Sequence, residues 1–129
     1  MPTFLLDTSV ILDAINNKKN RREVLRELLH RGNLLACCPI NVTEVYAGMR
    51  PAEEAYTQAF LVTLQYYPVT WPVARLAGLL KRDHAKKGIT LATTDATIEA
   101  VALHHELSLI TDNLKHYPMP ELLIHPLPK

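Results

Sequence analysis

FLLDTSVIL, Phe4 to Leu12, is an apolar run broken by a single carboxylate, Asp7. Thr3 to Leu6 are apolar or β-branched and read as a short buried strand that ends at Asp7. Thr8 or Ser9 can then cap a helix that turns Val10, Ile11, Ala14 and Ile15 inward. A strand that passes directly into a helix is the opening unit of an α/β domain, and it leaves Asp7 at the carboxyl end of the strand. An ionised group there is costly unless it is paired, hydrogen-bonded or bound to a metal. The reading taken is a metal, shared with carboxylates from much further along the chain.

The same alternation continues. Asn20 is placed to cap a helix with Val24, Leu25, Leu28 and Leu29 at helical spacing, closed by Gly32 and Asn33. Leu34 to Cys38 form a second strand, stopped by Pro39. Asn41-Val-Thr-Glu44 has the spacing of a capping box and starts a helix through Val45, Tyr46 and Met49, with Glu44 in its first turn. Pro51 opens another helix, with Ala55, Ala59, Phe60, Val62 and Leu64 as its inner face. Tyr67 to Thr70 fit a strand. Pro72 begins a helix carrying Ala74, Leu76, Ala77, Leu79 and Leu80. Thr93 or Thr94 caps one with Ile98, Val101, Ala102 and His105 on one side. Leu107 to Thr111 and Leu122 to His125 are the last strands. Short strands alternating with helices predict an α/β domain with a central, mostly parallel sheet. With 129 residues and no linker, repeat or low-complexity segment, residues 1–129 read as a single domain.

Composition excludes several classes. With 48% of residues apolar and 21% charged, the chain is neither disordered nor collagen-like. No apolar run approaches the roughly 18 residues of a membrane span, and no secretory signal opens the chain, so a cytoplasmic location is expected. The adjacent Cys37 and Cys38 point to opposite faces of a strand and are expected to be buried, reduced thiols. The net charge of +1 conceals two basic segments, one from Lys18 to Arg26 and one from Lys81 to Lys87. If several acids are drawn into a metal site, what is left on the surface is basic, as a polyanion partner requires.

Three of the five aspartates stand at element boundaries: Asp7 after a strand, Asp95 at a helix start and Asp112 after a strand. Ligands of open α/β sheets bind outside the carboxyl ends of the strands. Asp7, Glu44, Asp95 and the pair Asp112-Asn113 can therefore converge on one point. Such carboxylates repel one another unless a cation compensates them. Hard oxygen donors suit Mg²⁺ or Mn²⁺, and metal-assisted phosphodiester hydrolysis is the chemistry such a cluster performs. Asp13 and Glu99 are read as surface or helix-face acids, although Glu99 lies one turn beyond Asp95, within approach of the metal. The six histidines lack zinc-ligand spacing, and the four glycines form no phosphate loop.

LLDTSVIL (Leu5–Leu12), NVTEVYAG (Asn41–Gly48) and TTDATIEAVALHHELSLITDN (Thr93–Asn113), taken in order, resemble the PIN-domain ribonucleases, specifically the VapC toxins of prokaryotic toxin–antitoxin modules. The resemblance implies a three-layer α/β/α domain and an endoribonuclease dependent on Mg²⁺ or Mn²⁺. It also implies a homodimer, held inactive by a cognate antitoxin whose tail covers the acidic site. Asp7 and Asp95 would be the principal metal ligands and Glu44 would complete the shell, with Ser9 or Thr111 orienting a ligand by hydrogen bonding. The family often ends the strand in Thr, one variable residue, then Asp or Asn. By that pattern Asn113 takes the fourth site position and Asp112 the variable one. Either Asp112 substitutes, or the site depends mainly on one ion. The antitoxin groove is sought among Val24, Leu25, Leu28, Leu29, Tyr46, Tyr56 and Phe60.

Two rival readings stand beside this one. A catalytically impaired PIN-like module that only binds RNA or protein is supported by the neutral Asn113 and opposed by Asp7, Glu44 and Asp95. A phosphatase that uses Asp7 as nucleophile needs a second Asp two residues later, where this chain has Ser9.

Overall fold

The computed structural model describes residues 2–125, 127 and 128. Five strands, β1 (Thr3–Leu6), β2 (Leu34–Cys37), β3 (Gln65–Tyr66), β4 (Ser108–Ile110) and β5 (Ile124–His125), form one sheet in the order β3-β2-β1-β4-β5. All four pairings are parallel, as βα alternation requires. The six helices are α1 (Thr8–Ile15), α2 (Arg21–His30), α3 (Pro39–Ala47), α4 (Glu54–Leu61), α5 (Trp71–Lys86) and α6 (Thr93–His104).

Strand alternation splits the core into two layers. Phe4, Leu6, Leu35 and Cys37 pack with Val10, Ile11, Ala14, Leu25, Leu28, Val45 and Leu61 on one face. Leu5 and Ala36 pack with Val73, Ala77, Leu80, Ala96, Ile98 and Val101 on the other. The α/β/α sandwich expected from the sequence is thus present. Successive strands step outward from β1 to β3, and the chain then returns to the other side of β1 at β4. That reversal puts a crevice at the carboxyl ends of β1 and β4.

Local details differ from the sequence reading, each for a physical reason. Asp7 itself caps α1, its Oδ1 accepting from the Thr8 amide at 2.9 Å, so neither Thr8 nor Ser9 is needed. Asn20 adopts a left-handed conformation (φ 58°) and makes no side-chain cap. Helix α3 begins at Pro39, whose fixed φ suits a first turn, so Asn41 lies inside it and Glu44 is mid-helix. The inner face of α4 is Thr57 and Leu61, with Phe60 half-buried, while Ala55, Ala59 and Val62 face out. Strand β3 is Gln65–Tyr66 rather than Tyr67–Thr70. Helix α6 has no one-sided face: Ala96 to Ala102 are all buried, and His105 is exposed beyond its end. Cys37 and Cys38 are buried free thiols, and burial pushes that of Cys37 up to about 11.

Candidate active site

Register decides what stands at the crevice. Leu6 pairs with Ile110, so Asp7 and Thr111 emerge side by side at the sheet edge, and the Asp7 amide donates to the Ile110 carbonyl at 2.9 Å. Thr111 Oγ1 donates to Asp7 Oδ2 at 2.7 Å, and Tyr117 Oη donates to Asp7 Oδ1 at 3.0 Å. With the Thr8 amide, the buried Asp7 carboxylate accepts three hydrogen bonds. Its charge at the strand end is therefore already stabilised by fixed dipoles, before any cation is considered.

Glu44 reaches the same crevice through a relay. Asn41 is fully buried; its Oδ1 accepts from the Cys38 amide at 2.8 Å. Its Nδ2 donates to the Leu6 carbonyl at 3.1 Å and to Thr8 Oγ1 at 3.0 Å. Thr8 Oγ1 in turn donates to Glu44 Oε1 at 2.7 Å. The earlier start of α3 is what turns Asn41 inward to tie β1, α1 and α3 together and leaves Glu44 exposed at the crevice.

Asp95 lies in the first turn of α6, where the helix dipole favours an acid. Burial nonetheless raises its carboxyl above the usual range, and the negative fields of Asp7 and Glu44 add to that shift. His116 opposes them, with Nδ1 3.3 Å from Asp95 Oδ2. Asp7, Glu44 and Asp95 are thus close enough to feel one another's charge.

The acids after β4 behave differently. Asp112 Oδ1 accepts from the buried Arg21 at 2.6 Å, and its Oδ2 is buried without a partner. Asn113 is exposed; its amide donates to Thr111 Oγ1 at 2.9 Å, and its Nδ2 stands 3.5 Å from Ser9 Oγ. Ser9 makes no hydrogen bond to Asp7 among the described residues, whereas the hydroxyls of Thr111 and Tyr117 both do. The sequence reading assigns no site role to His116 and Tyr117, and only capping roles to Thr8 and Asn41. A Tyr four residues past Asn113 was a usable signal, because a buried phenol seeks an acceptor.

The donor set is entirely oxygen and carries excess negative charge, which suits a divalent cation. Among the described residues, no three His, Cys, Asp or Glu side chains form a ready-made metal cage. An ion held by these acids would keep water in much of its shell, as Mg²⁺ commonly does.

The basic segments are partly spent internally. Arg21 also donates to the carbonyls of Lys19 and Pro128, and Arg22 donates to those of Ala14 and Ile15 and lies over the Tyr56 ring. Lys81 donates to the Leu91 carbonyl. Beside Arg22, a groove of about 230 Å³ is lined by Leu25, Leu29, Tyr56 and Phe60. Four of the seven apolar residues singled out from the sequence thus share it, whereas Val24, Leu28 and Tyr46 line other surfaces.

A family profile described as the PIN domain matches residues 4–121, and the chain belongs to that family. It is 30% identical over 115 residues to Ribonuclease VapC19 of Mycobacterium tuberculosis, an alignment covering 89% of this chain and 92% of that protein. Ribonuclease VapC10 of the same organism is 30% identical over 123 residues, covering 95% and 92%. Among solved structures, VapBC2 from Rickettsia felis, bound to a DNA fragment from its promoter, aligns with a TM-score of 0.84 at 23% identity. That alignment covers 95% of this chain and 97% of the other.

Proposed function

We propose that this protein is the ribonuclease toxin of a toxin–antitoxin pair. It would be an endoribonuclease that hydrolyses RNA phosphodiester bonds with Mg²⁺ or Mn²⁺, leaving a 5′-phosphate and a 3′-hydroxyl. Membership of the PIN family and likeness to proteins called Ribonuclease VapC support the reaction class. The observation that carries the chemistry is the uncompensated charge of the crevice. Burial raises the Asp95 carboxyl and Asp7 and Glu44 add to this against the opposing His116, while the buried Arg21 is committed to Asp112 instead.

Asp7 and Asp95 would hold the cation and Glu44 would complete its shell. A divalent ion at this point supplies Lewis-acid charge to the phosphate and to an attacking water. The chain's own residues do the positioning. Thr8, Thr111 and Tyr117 hold Asp7 in one orientation, and the Asn41–Thr8 relay aims Glu44. With Asp112 paired and Asn113 exposed, the reading is one principal ion rather than two. Lys18, Lys86 and Lys87 are exposed and without a salt-bridge partner among the described residues, and they would meet RNA phosphates.

The cognate antitoxin would seat apolar side chains in the groove of Leu25, Leu29, Tyr56 and Phe60, with Arg22 and Arg26 at its rim. A homodimer would cover the exposed Val62, Tyr66 and Trp71. No helix among the described residues is long and apolar enough to cross a membrane, and a cytoplasmic site of action goes with this reading.

The alternative, a PIN-like module without catalysis, draws on Asn113 and on the capture of Asp112 by Arg21. One experiment separates the two: incubation of the purified chain with a mixed RNA pool, with Mg²⁺ or Mn²⁺ or with EDTA, beside Asp7→Asn and Asp95→Asn. Cuts that need metal and vanish in both variants are expected. Scission that survives chelation, or equal cleavage by both variants, would overturn the mechanism.

A further inference from the structure

Glu99 sits about one helical turn after Asp95 on α6, about 6 Å along the axis, and is fully buried. Neither carboxylate oxygen has a hydrogen-bond partner. Buried carboxyl groups ordinarily find donors or neutralise, since an unpaired one costs several kcal/mol. Among the described residues no counter-charge acts on Glu99. The charges that bear on it are those of Glu121 and Asp95, both negative, and its own field reaches Tyr117, the phenol that donates to Asp7. Glu99 therefore lies one turn below Asp95, electrostatically joined to it and to the Tyr117 phenol that donates to Asp7, and it lacks the donors a carboxylate needs. The expected acid after β4 is diverted to Arg21, so the crevice is also short of one carboxylate.

Building on the proposed metal site, we propose that Glu99 is an additional acid of that site. In the metal-free protein it is partly protonated at neutral pH; when a divalent cation binds, that proton passes to solvent and the carboxylate joins the ion's ligand shell. Burial together with Glu121 and Asp95 raises its carboxyl to about 7, which leaves much of it neutral near neutrality and makes the exchange of proton for metal accessible there.

The test is calorimetric titration of Mn²⁺ into the wild type, Glu99→Gln and Asp95→Asn at pH 7. Glu99→Gln is expected to weaken Mn²⁺ binding about tenfold, within the 10–100-fold range of groups supporting metal ligands. Binding within twofold of wild type would overturn the proposal. If Asp95→Asn loses Mn²⁺ while Glu99→Gln keeps it, the metal site stands and only the role of Glu99 falls. A wild type that takes up no Mn²⁺ would overturn both. Infrared difference spectra of the wild type guard against a variant that fails to fold. Adding Mg²⁺ should remove a carbonyl band of a neutral carboxylic acid, and a band that persists at saturation would overturn the proposal.

Discussion

The two walls of the crevice solve the same electrostatic problem in opposite ways. On the β1–α3 wall every polar group is answered: Asp7 has three donors, and Asn41 and Thr8 pass a continuous chain of hydrogen bonds to Glu44. On the α6 wall Asp95 meets only the half-exposed His116 and the Tyr117 hydroxyl, and Glu99 meets nothing. The first wall is pre-organised and sets positions, while the second holds acids that lack matching donors and are pushed toward their neutral forms. A site with both halves has geometry before a cation arrives and a driving force to take one up.

The largest effect should come from breaking the ordered wall at its centre. Asp7→Asn is expected to lower RNA cleavage by more than about 100-fold, since even the partners of metal ligands contribute about 10–100-fold. Initial rates at saturating Mg²⁺ check this.

The second wall predicts a stability slope. Glu99 binds its proton more tightly in the folded chain, at about 7, than in the unfolded chain near 4.5. Between those values the unfolded chain loses the proton while the folded chain keeps it, so stability falls as pH rises through the window and the deficit is complete above it. Urea unfolding of metal-free protein should show a loss of about 3 kcal/mol from this group between pH 4.5 and 8. Glu99→Gln should lack that contribution, and an unchanged slope in the variant would remove the contrast between the walls.

Asn41→Ala unpairs the Cys38 amide and the Leu6 carbonyl, both in buried surroundings, and should cost about 2 kcal/mol in the same assay. Ser9→Ala should change stability by less than about 0.5 kcal/mol, because its contact with Asn113 lies at the limit of hydrogen bonding.

The sequence was most legible where hydrophobic period and chain order agreed. Phe4 to Leu12, Leu34 to Cys37 and Ser108 to Ile110 had no competing structure, and the α/β/α layering followed from them. Asp7 and Asp95 stand where the sequence placed them, at a strand end and in a first helical turn, whereas Glu44, expected in a first turn, lies mid-helix. Asn41 was misread because Asn-x-x-Glu fits a helix start as well as a buried tie, and only the register of Pro39 separates them. Arg21 looked like surface charge, since no local pattern announces a partner 91 residues away at Asp112. Glu99 was visible as an acid one turn beyond Asp95, but its complete burial was not, because a helix buried on all sides shows no apolar and polar faces to place it.

The most direct test of the central claim is the place of the cation itself. Anomalous diffraction from crystals soaked in Mn²⁺ should show a peak flanked by the carboxylates of Asp7 and Asp95, and Asp95→Asn should reduce or abolish it. Saturating Mn²⁺ with no peak in that crevice, or with density only at sites remote from both aspartates, would contradict the account.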